Sequence, residues 1–346
     1  MTIIAGPYLN DILAQPDVLR TVCAALSARA PLLDVVAAIR SGRFRRVVLT
    51  GMGSSFHALY PLHLRLIAAG APSHWIETSE LLIGYGPLKS RDTLLVAVSQ
   101  SGESAEIVSL VRPSGGFGHI IAVTNQPSST LGAAADTLLP LHAGAEATVS
   151  CKTYVATLAV LHWLGAALVG EDVAVTVEQL GRIEAPMRAY LAGLHSHVAA
   201  IGERLAEIRA TFVTGRGVSL ATAGTGGLIL KESTRHPAEG MSGAAFRHGP
   251  FEMLGRHIFV LVLAGEPPVA PLHRRLVADI ARHGGVAELV ATEEDVAGEF
   301  RLPVTPGALL PLVEILPVQM LSLALAARDG REAGRFEHAS KVTTVE

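Results

Sequence analysis

The chain has almost no cysteine. Cys23 and Cys151 are the only two among 346 residues, too few for the bridge framework of small secreted domains, so the expected setting is a reduced cytoplasm. Neither sign of charge is in surplus. Lys and Arg number 28 against 31 Asp and Glu, a formal −3, which removes the basic field that nucleic-acid binding requires. The first residues, MTIIAGPYLNDILAQPDV, have no basic segment leading into an apolar core, so no signal peptide is expected. Long apolar tracts at 155–169 and 308–327 are interrupted by His162 in one and by Pro311, Glu314 and Pro317 in the other; they read as buried helices, with no membrane span. Aromatics are sparse at 5%, and Trp75 and Trp163 read as core rather than as platforms for a ligand. What the chain has in quantity is apolar residues, 49% over a length that supports two domains, a composition suited to well-buried parallel sheets.

Periodicity places an initial helix at 8–28 and strands at 46–50, 73–77, 93–98, 120–124 and 137–141, each separated by helical or turn-rich sequence. A helical stretch at 151–168 closes this first unit. Residues 173–209, rich in Ala, Leu and Glu, bridge to a second one with strands at 211–213, 258–262 and 286–289 and a closing helix at 309–327. Such alternation predicts an α/β fold with parallel sheets and helices on both faces. The tail, 331–346, is polar and unpatterned, the composition of a disordered end.

The chain also resembles itself. LTGMGSS at 49–55 recurs as VTGRGVS at 213–219, an offset of 164, and each copy follows an apolar strand and precedes an Ala/Leu-rich helical stretch. Two copies of one α/β unit are expected.

The richest segment is VSQSGES at 98–104, three serines and a glycine where a strand hands over to a helix. Hydroxyls and unpaired backbone N–H groups at such a junction hold a phosphate without Lys or Arg, and Gly102 lets the backbone come close. A plain N-cap is the bland alternative. The repeat offset carries Val98 to Val262 but Ser99, Gln100 and Ser104 to Leu263, Ala264 and Pro268. The second copy has therefore lost the loop, which predicts one ligand site per chain.

Other constellations are weaker. GMGSS and GRGVS lack the full glycine pattern and the following acid of a dinucleotide site. His236, His248 and His257 fit no metal-ligand spacing. No cofactor and no metal are expected.

Six segments together resemble the sugar isomerase (SIS) family over nearly the whole chain: DILAQP at 11–16, GMGSS, SQSGES, the stretch ending in SCK at Lys152, LKES through FRHGP, and the C-terminal SKVTTVE. The resemblance is greatest to the isomerase half of glucosamine-6-phosphate synthase and to stand-alone aminosugar-phosphate deaminases and fructosamine-phosphate deglycases. It implies two tandem SIS domains, each a parallel-sheet, nucleotide-fold-like α/β/α sandwich: a helical segment 1–30, SIS domain 1 at 31–170, a helical connector 171–208, SIS domain 2 at 209–330, and an active-site tail 331–346. The glutaminase half of the synthase is expected to be missing, and glutamine-dependent amination with it.

The same resemblance implies residue roles. Glu232 falls on the family's catalytic base, His248 on its ring-opening histidine, supplied by the neighbouring subunit of a homodimer, and Lys341 on the tail lysine that engages the open-chain carbonyl. Ser99, Gln100, Ser101, Gly102, Ser104 and Ser55 would hold the phosphate; Gly53, Ser54, Ser150 and Lys152 would line the sugar. The chain departs from the synthase pattern in having Thr225 and Ile229 where the synthase helix carries an acid and a lysine, and in a shorter segment before Lys152. Both changes touch the sugar end. The expectation is a sugar 6-phosphate enzyme, foremost a glucosamine-6-phosphate deaminase, with an aldose–ketose isomerase, a deglycase and a non-catalytic sensor as alternatives.

Overall fold

The computed structural model describes residues 2–27, 32–112, 116–294, 296–338 and 340–343. Contacts divide the chain into two compact units. One comprises 17–145, 152–182 and 339–346, the other 1–16, 146–151 and 183–338; the first 16 residues thus belong with the later sheet and the tail's end with the earlier one.

The unit beginning at residue 17 is built on five parallel strands: β1 (Arg46–Gly51), β2 (Ser73–Trp75), β3 (Thr93–Val98), β4 (His119–Thr124) and β5 (Thr137–Pro140), in the order β2-β1-β3-β4-β5. All six residues of β3 are buried, as expected for a strand covered on both faces and hence apolar at consecutive rather than alternate positions. On one face Val48, Leu95, Ala97 and Ala122 pack with Ile107, Leu110 and Leu131. Helix Lys152–Val169 packs against helices Leu33–Arg40, Gly53–Ala58, Tyr60–Ala68 and Val173–Gly181.

The other unit holds β6 (Ala210–Gly215), β7 (Ala238–Ser242), β8 (Ile258–Leu263) and β9 (Val286–Val290), parallel, in the order β7-β6-β8-β9. This repeats the arrangement of β2, β1, β3 and β4. Phe212, Val260 and Val262 meet Phe246, Leu276 and Ile280 on one face, and helix Leu220–Thr234 lies against helix Leu310–Arg328 and β7.

β7 is the strand that periodicity does not find. Its sequence, AEGMS, has no apolar run, and Gly240 is needed for a different reason: a Cβ there would lie 1.9 Å from the carbonyl oxygen of Ala223, and one on Gly227 would lie 2.2 Å from Gly240 N. Helix and edge strand touch backbone to backbone, a contact that only glycine permits. The bridging stretch resolves into three helices, Val173–Gly181, Glu184–Ala192 and Leu194–Glu203.

Two helical segments, 152–169 and 307–328, are apolar and long enough to cross a bilayer, but 83% and 94% of their apolar windows are buried inside the protein. They are core helices.

Candidate functional site

In the first unit the strand order reverses direction between β1 and β3, and in open parallel sheets ligands bind outside the carboxyl ends of the strands at such a point. The two loops singled out by sequence, GMGSS after β1 and SQSGES after β3, are the loops on either side of it, with Gly51 paired to Val98 across the strands. Gly51 is held to that identity by the crowding, since a Cβ would sit 2.9 Å from the Val98 carbonyl oxygen.

The serine loop is internally bonded. Ser99 N–H continues the ladder to Val123 O at 3.1 Å. Gly102 N–H donates to Ser99 Oγ and Glu103 N–H to Ser101 Oγ, each at 3.1 Å. Gly102 has φ +65°, and a Cβ there would lie 2.0 Å from Ser129 Oγ. Glu103 is engaged by Thr130, its carboxylate accepting from Thr130 N at 2.6 Å and Thr130 Oγ1 at 2.9 Å. Gln100 is pinned by its backbone, its carbonyl accepting from Asn125 N–H at 3.1 Å.

This corrects one expectation. The N–H groups of Gly102 and Glu103 are already used by serine hydroxyls, and Ala105 N–H donates to Thr343 O at 3.1 Å, so none of these three is an unpaired cradle donor. What the loop has left to offer a ligand is its hydroxyls. A hydroxyl that accepts one bond keeps its own O–H to donate, so Ser99 and Ser101 are oriented by the bonds they accept. Ser104 stands at the N-cap of helix Ala105–Val111 and makes no side-chain capping bond, so its hydroxyl is not spent on the helix.

After β1, Met52 is extended, Gly53 turns with φ +53°, and helix Gly53–Ala58 follows. Ser54 is buried and its Oγ has no hydrogen-bond partner; Ser55 is half-buried. Lys341 is half-buried and lies in this unit, two residues before the carbonyl that reaches Ala105. The tail is therefore docked beside the serine loop through Thr343; Thr344, Val345 and Glu346, the end of the SKVTTVE motif, lie outside the described residues.

Glu232 lies in the other unit, half-buried near the end of helix Leu220–Thr234. That end is closed by Arg235 in the left-handed conformation, φ +59°, and by Gly334 N–H donating to Ser233 O at 2.9 Å. Burial pushes the Tyr8 hydroxyl well above the usual phenol range, reinforced by negative charge on Cys151, Glu232 and Glu146 and opposed by its hydrogen bond to Ser322. Tyr8 Oη lies 3.2 Å from Ser322 Oγ. Glu232, Glu146 and Cys151 thus all act electrostatically on one buried phenol. Cys151 belongs to the SCK segment, and Asp11, in DILAQP, accepts Ala147 N–H at 3.1 Å while Glu146 accepts Cys151 N–H at 2.9 Å. Together these carboxylates shape the segment Glu146–Cys151 that carries Ser150 and leads into Lys152, the first residue of helix Lys152–Val169.

His248 terminates helix Gly243–Arg247 and precedes Gly249, φ +142°. It is exposed, and its side chain makes no hydrogen bond among the described residues. His236 and His257 are engaged elsewhere, with Thr211 Oγ1 at 3.1 Å and Glu207 O at 2.8 Å. Among the described residues no group of three His, Cys, Asp or Glu side chains could hold a metal ion.

Residues 43–167 match the family described as SIS domain. The chain is 31% identical over 317 residues to the isomerising glutamine–fructose-6-phosphate aminotransferase of Pyrococcus horikoshii, covering 88% of this chain and 52% of that protein. It therefore spans about half the length of the curated relatives it matches. The C-terminal domain of glucosamine-fructose-6-phosphate aminotransferase from Francisella tularensis superimposes with a TM-score of 0.83 at 22% identity, covering 94% of this chain and 97% of that one. Glucosamine-6-phosphate deaminase from Thermotoga maritima superimposes with a TM-score of 0.77 at 17% identity, covering 97% and 99%; at these identities the two likenesses speak to the fold. The matched stretch contains the whole five-stranded sheet and the serine loop at its switch point, and on that agreement of sequence and architecture residues 43–167 form a SIS domain.

Proposed function

We propose that the chain is an enzyme acting on an aminosugar 6-phosphate, foremost a glucosamine-6-phosphate deaminase. The observation that carries the reading is the serine loop: hydroxyls oriented by bonds they accept, at the switch point of a parallel sheet, in a loop with no cation, suited to a phosphate monoester. In this reading Ser99, Gln100, Ser101, Gly102, Ser104 and Ser55 hold the phosphate, and Gly53, Ser54, Ser150 and Lys152 contact the sugar.

His248 opens the pyranose ring. Glu232 then removes the proton from carbon 2 and returns it to carbon 1 through an enediol-type enolamine, giving the imine of the ketose. Water adds to that imine and ammonia leaves, so one water is consumed and one ammonia released. Lys341 faces the open-chain carbonyl from the tail. Exposure of His248 at a loop end supports its reaching the site of a neighbouring subunit, which makes the working form a homodimer. The second sheet, with the strand arrangement of the first, is in this reading a second SIS domain that has given up its phosphate loop.

Preference for deamination over the synthase's isomerisation rests on the helix carrying Glu232. Thr225 and Ile229, two turns and one turn before it, are fully buried, so no acid or lysine stands there. The test is incubation of the purified chain with a panel of amino- and keto-hexose 6-phosphates in deuterated water, scoring ammonia, free amine, ketose and deuterium at carbons 1 and 2. Ammonia with deuterium, both lost in Glu232→Gln, is the expected result. Ketose formed without ammonia identifies an aldose–ketose isomerase, and free amine a deglycase. Binding of a 6-phosphate with no exchange at either carbon identifies a sensor and refutes the proton-transfer mechanism.

A further inference from the structure

The second sheet lost its serine loop, yet the end of β6 is built around arginine. By the repeat offset Arg216 takes the place of Met52. It lines a cavity of about 360 Å³ together with Gly243, Arg247, His273, Arg275 and Asp279, within the size range of small-molecule sites. Leu272 and Leu276 complete the wall.

Two polar atoms of this wall are buried without a hydrogen-bond partner: Arg216 Nε and His273 Nε2. His273 is 1% exposed, and its Nδ1 lies 2.8 Å from Ala264 O. A carbonyl only accepts, so Nδ1 carries the proton and Nε2 is left as a bare acceptor. Burial, with the nearby Arg216 charge as a lesser cause that the Ala264 bond opposes, lowers the His273 pKa and keeps the ring neutral. Gly243 has no side chain to cover this nitrogen; a Cβ there would lie 3.4 Å from it. An unmade donor and an unmade acceptor in one wall are what a ligand oxygen bearing a proton would satisfy together, since buried polar groups in native structures are almost always paired.

The charge of the wall narrows the class. Three arginines against one aspartate leave +2 among the lining residues. Arg247 is tied to Asp279 at 2.7 Å, which also meets Arg282 at 3.0 Å. Arg216 and Arg275 have no ion pair among the described residues. A phosphate monoester carries about −1.5 to −2 at neutral pH, and arginine forks match its oxygens.

We propose that this cavity is a second anion site, for a small hydroxylated phosphate monoester: the phosphate is held by Arg216 and Arg275, and a hydroxyl donates to His273 Nε2. The site is independent of the serine loop and of the reaction proposed there.

Glycerol phosphate is the probe. The full chain carrying Ser99→Ala and Ser104→Ala, labelled with nitrogen-15 histidine, is titrated by calorimetry and by imidazole spectroscopy. One site per chain is expected, with a shift of the His273 Nε2 resonance, and Arg275→Gln, at an exposed position, should weaken it at least about tenfold, the scale of a lost charge-assisted bond. Should the double variant fail to fold, unmodified protein must show a site that Arg275→Gln weakens while any serine-loop binding stays intact. The proposal is overturned by the absence of such a site, by affinity that neither Arg216→Gln nor Arg275→Gln changes, by a His273 resonance that does not move, or by glycerate binding as tightly as glycerol phosphate.

Discussion

Gly102→Ala tests whether the serine loop has the shape described. Two costs follow from the structure. The backbone at this position has φ +65°, where an L side chain costs about 1–2 kcal/mol. The new methyl would lie 2.0 Å from Ser129 Oγ and 2.6 Å from Ser129 Cβ, so Ser129 must move. That residue is the N-cap of helix Thr130–Ala133, accepting from Gly132 N at 3.2 Å, and losing such a cap costs about 1 kcal/mol. The sum is about 3 kcal/mol, a fall in Tm on the order of 10 °C for a unit of this size.

Gly144 supplies the control. It has φ +68°, but a Cβ there meets nothing within 4 Å. Gly144→Ala should therefore show the backbone cost alone, about 1.5 kcal/mol and a fall of about 5 °C. Calorimetric unfolding of the two variants beside the parent separates strain from collision. Ser129→Gly added to Gly102→Ala should cost less than the two single changes summed, because the colliding atoms are gone. If Gly102→Ala unfolds at the temperature of Gly144→Ala, the loop is not packed against Ser129 and its hydroxyls are not pre-oriented.

Ser104→Ala removes no capping bond and should change stability by less than about 0.5 kcal/mol; combined with Ser99→Ala it should weaken 6-phosphate binding by about 3–6 kcal/mol in calorimetry, two bonds to a charged group. Burial raises Glu314 from 4.5 to about 7, so between those values the folded state holds a proton that the unfolded state has released, and stability falls as pH rises through that window; Glu314→Gln, which can still accept from Ser219, should flatten urea midpoints across it and exceed the parent at pH 8 by up to roughly 3 kcal/mol. Deleting 341–346 should leave Tm nearly unchanged while lowering turnover at least about tenfold, and turnover equal to the parent's would make the Thr343 contact idle. Mixing inactive Glu232→Gln with inactive His248→Ala protein should restore part of the activity on subunit exchange; mixed dimers that stay inactive would place the histidine's action within its own chain or outside the reaction.

How much of this was visible in the sequence follows from what each element is made of. β1, β3 and β8 are read within a residue or two because strands covered on both faces are apolar at consecutive positions, a signal carried by each strand alone. β7 is invisible for the converse reason: Gly240 is chosen by the carbonyl of Ala223, a partner on another element. The surroundings of Glu232 are the same case at longer range. Tyr8, Glu146, Cys151 and Ser322 come together only by folding, and no local pattern in a helix start, a loop or an apolar closing helix announces that they share a neighbourhood. Glu314 stands between these extremes, since a carboxylate inside an apolar run is conspicuous, while Ser219, which holds it at 2.6 Å, is not.

The serine loop shows where pattern and atoms part. Its place at a strand-to-helix handover was legible from residue types alone. Which atoms remain to meet a ligand was not, because Gly102, Glu103 and Ala105 spend their N–H groups on two serines and on the tail's Thr343. A backbone carbonyl has no signature in a sequence, so a polar tail that composition assigns to disorder docks through an atom every residue possesses. The same bond makes the tail part of the loop's local structure before any ligand arrives.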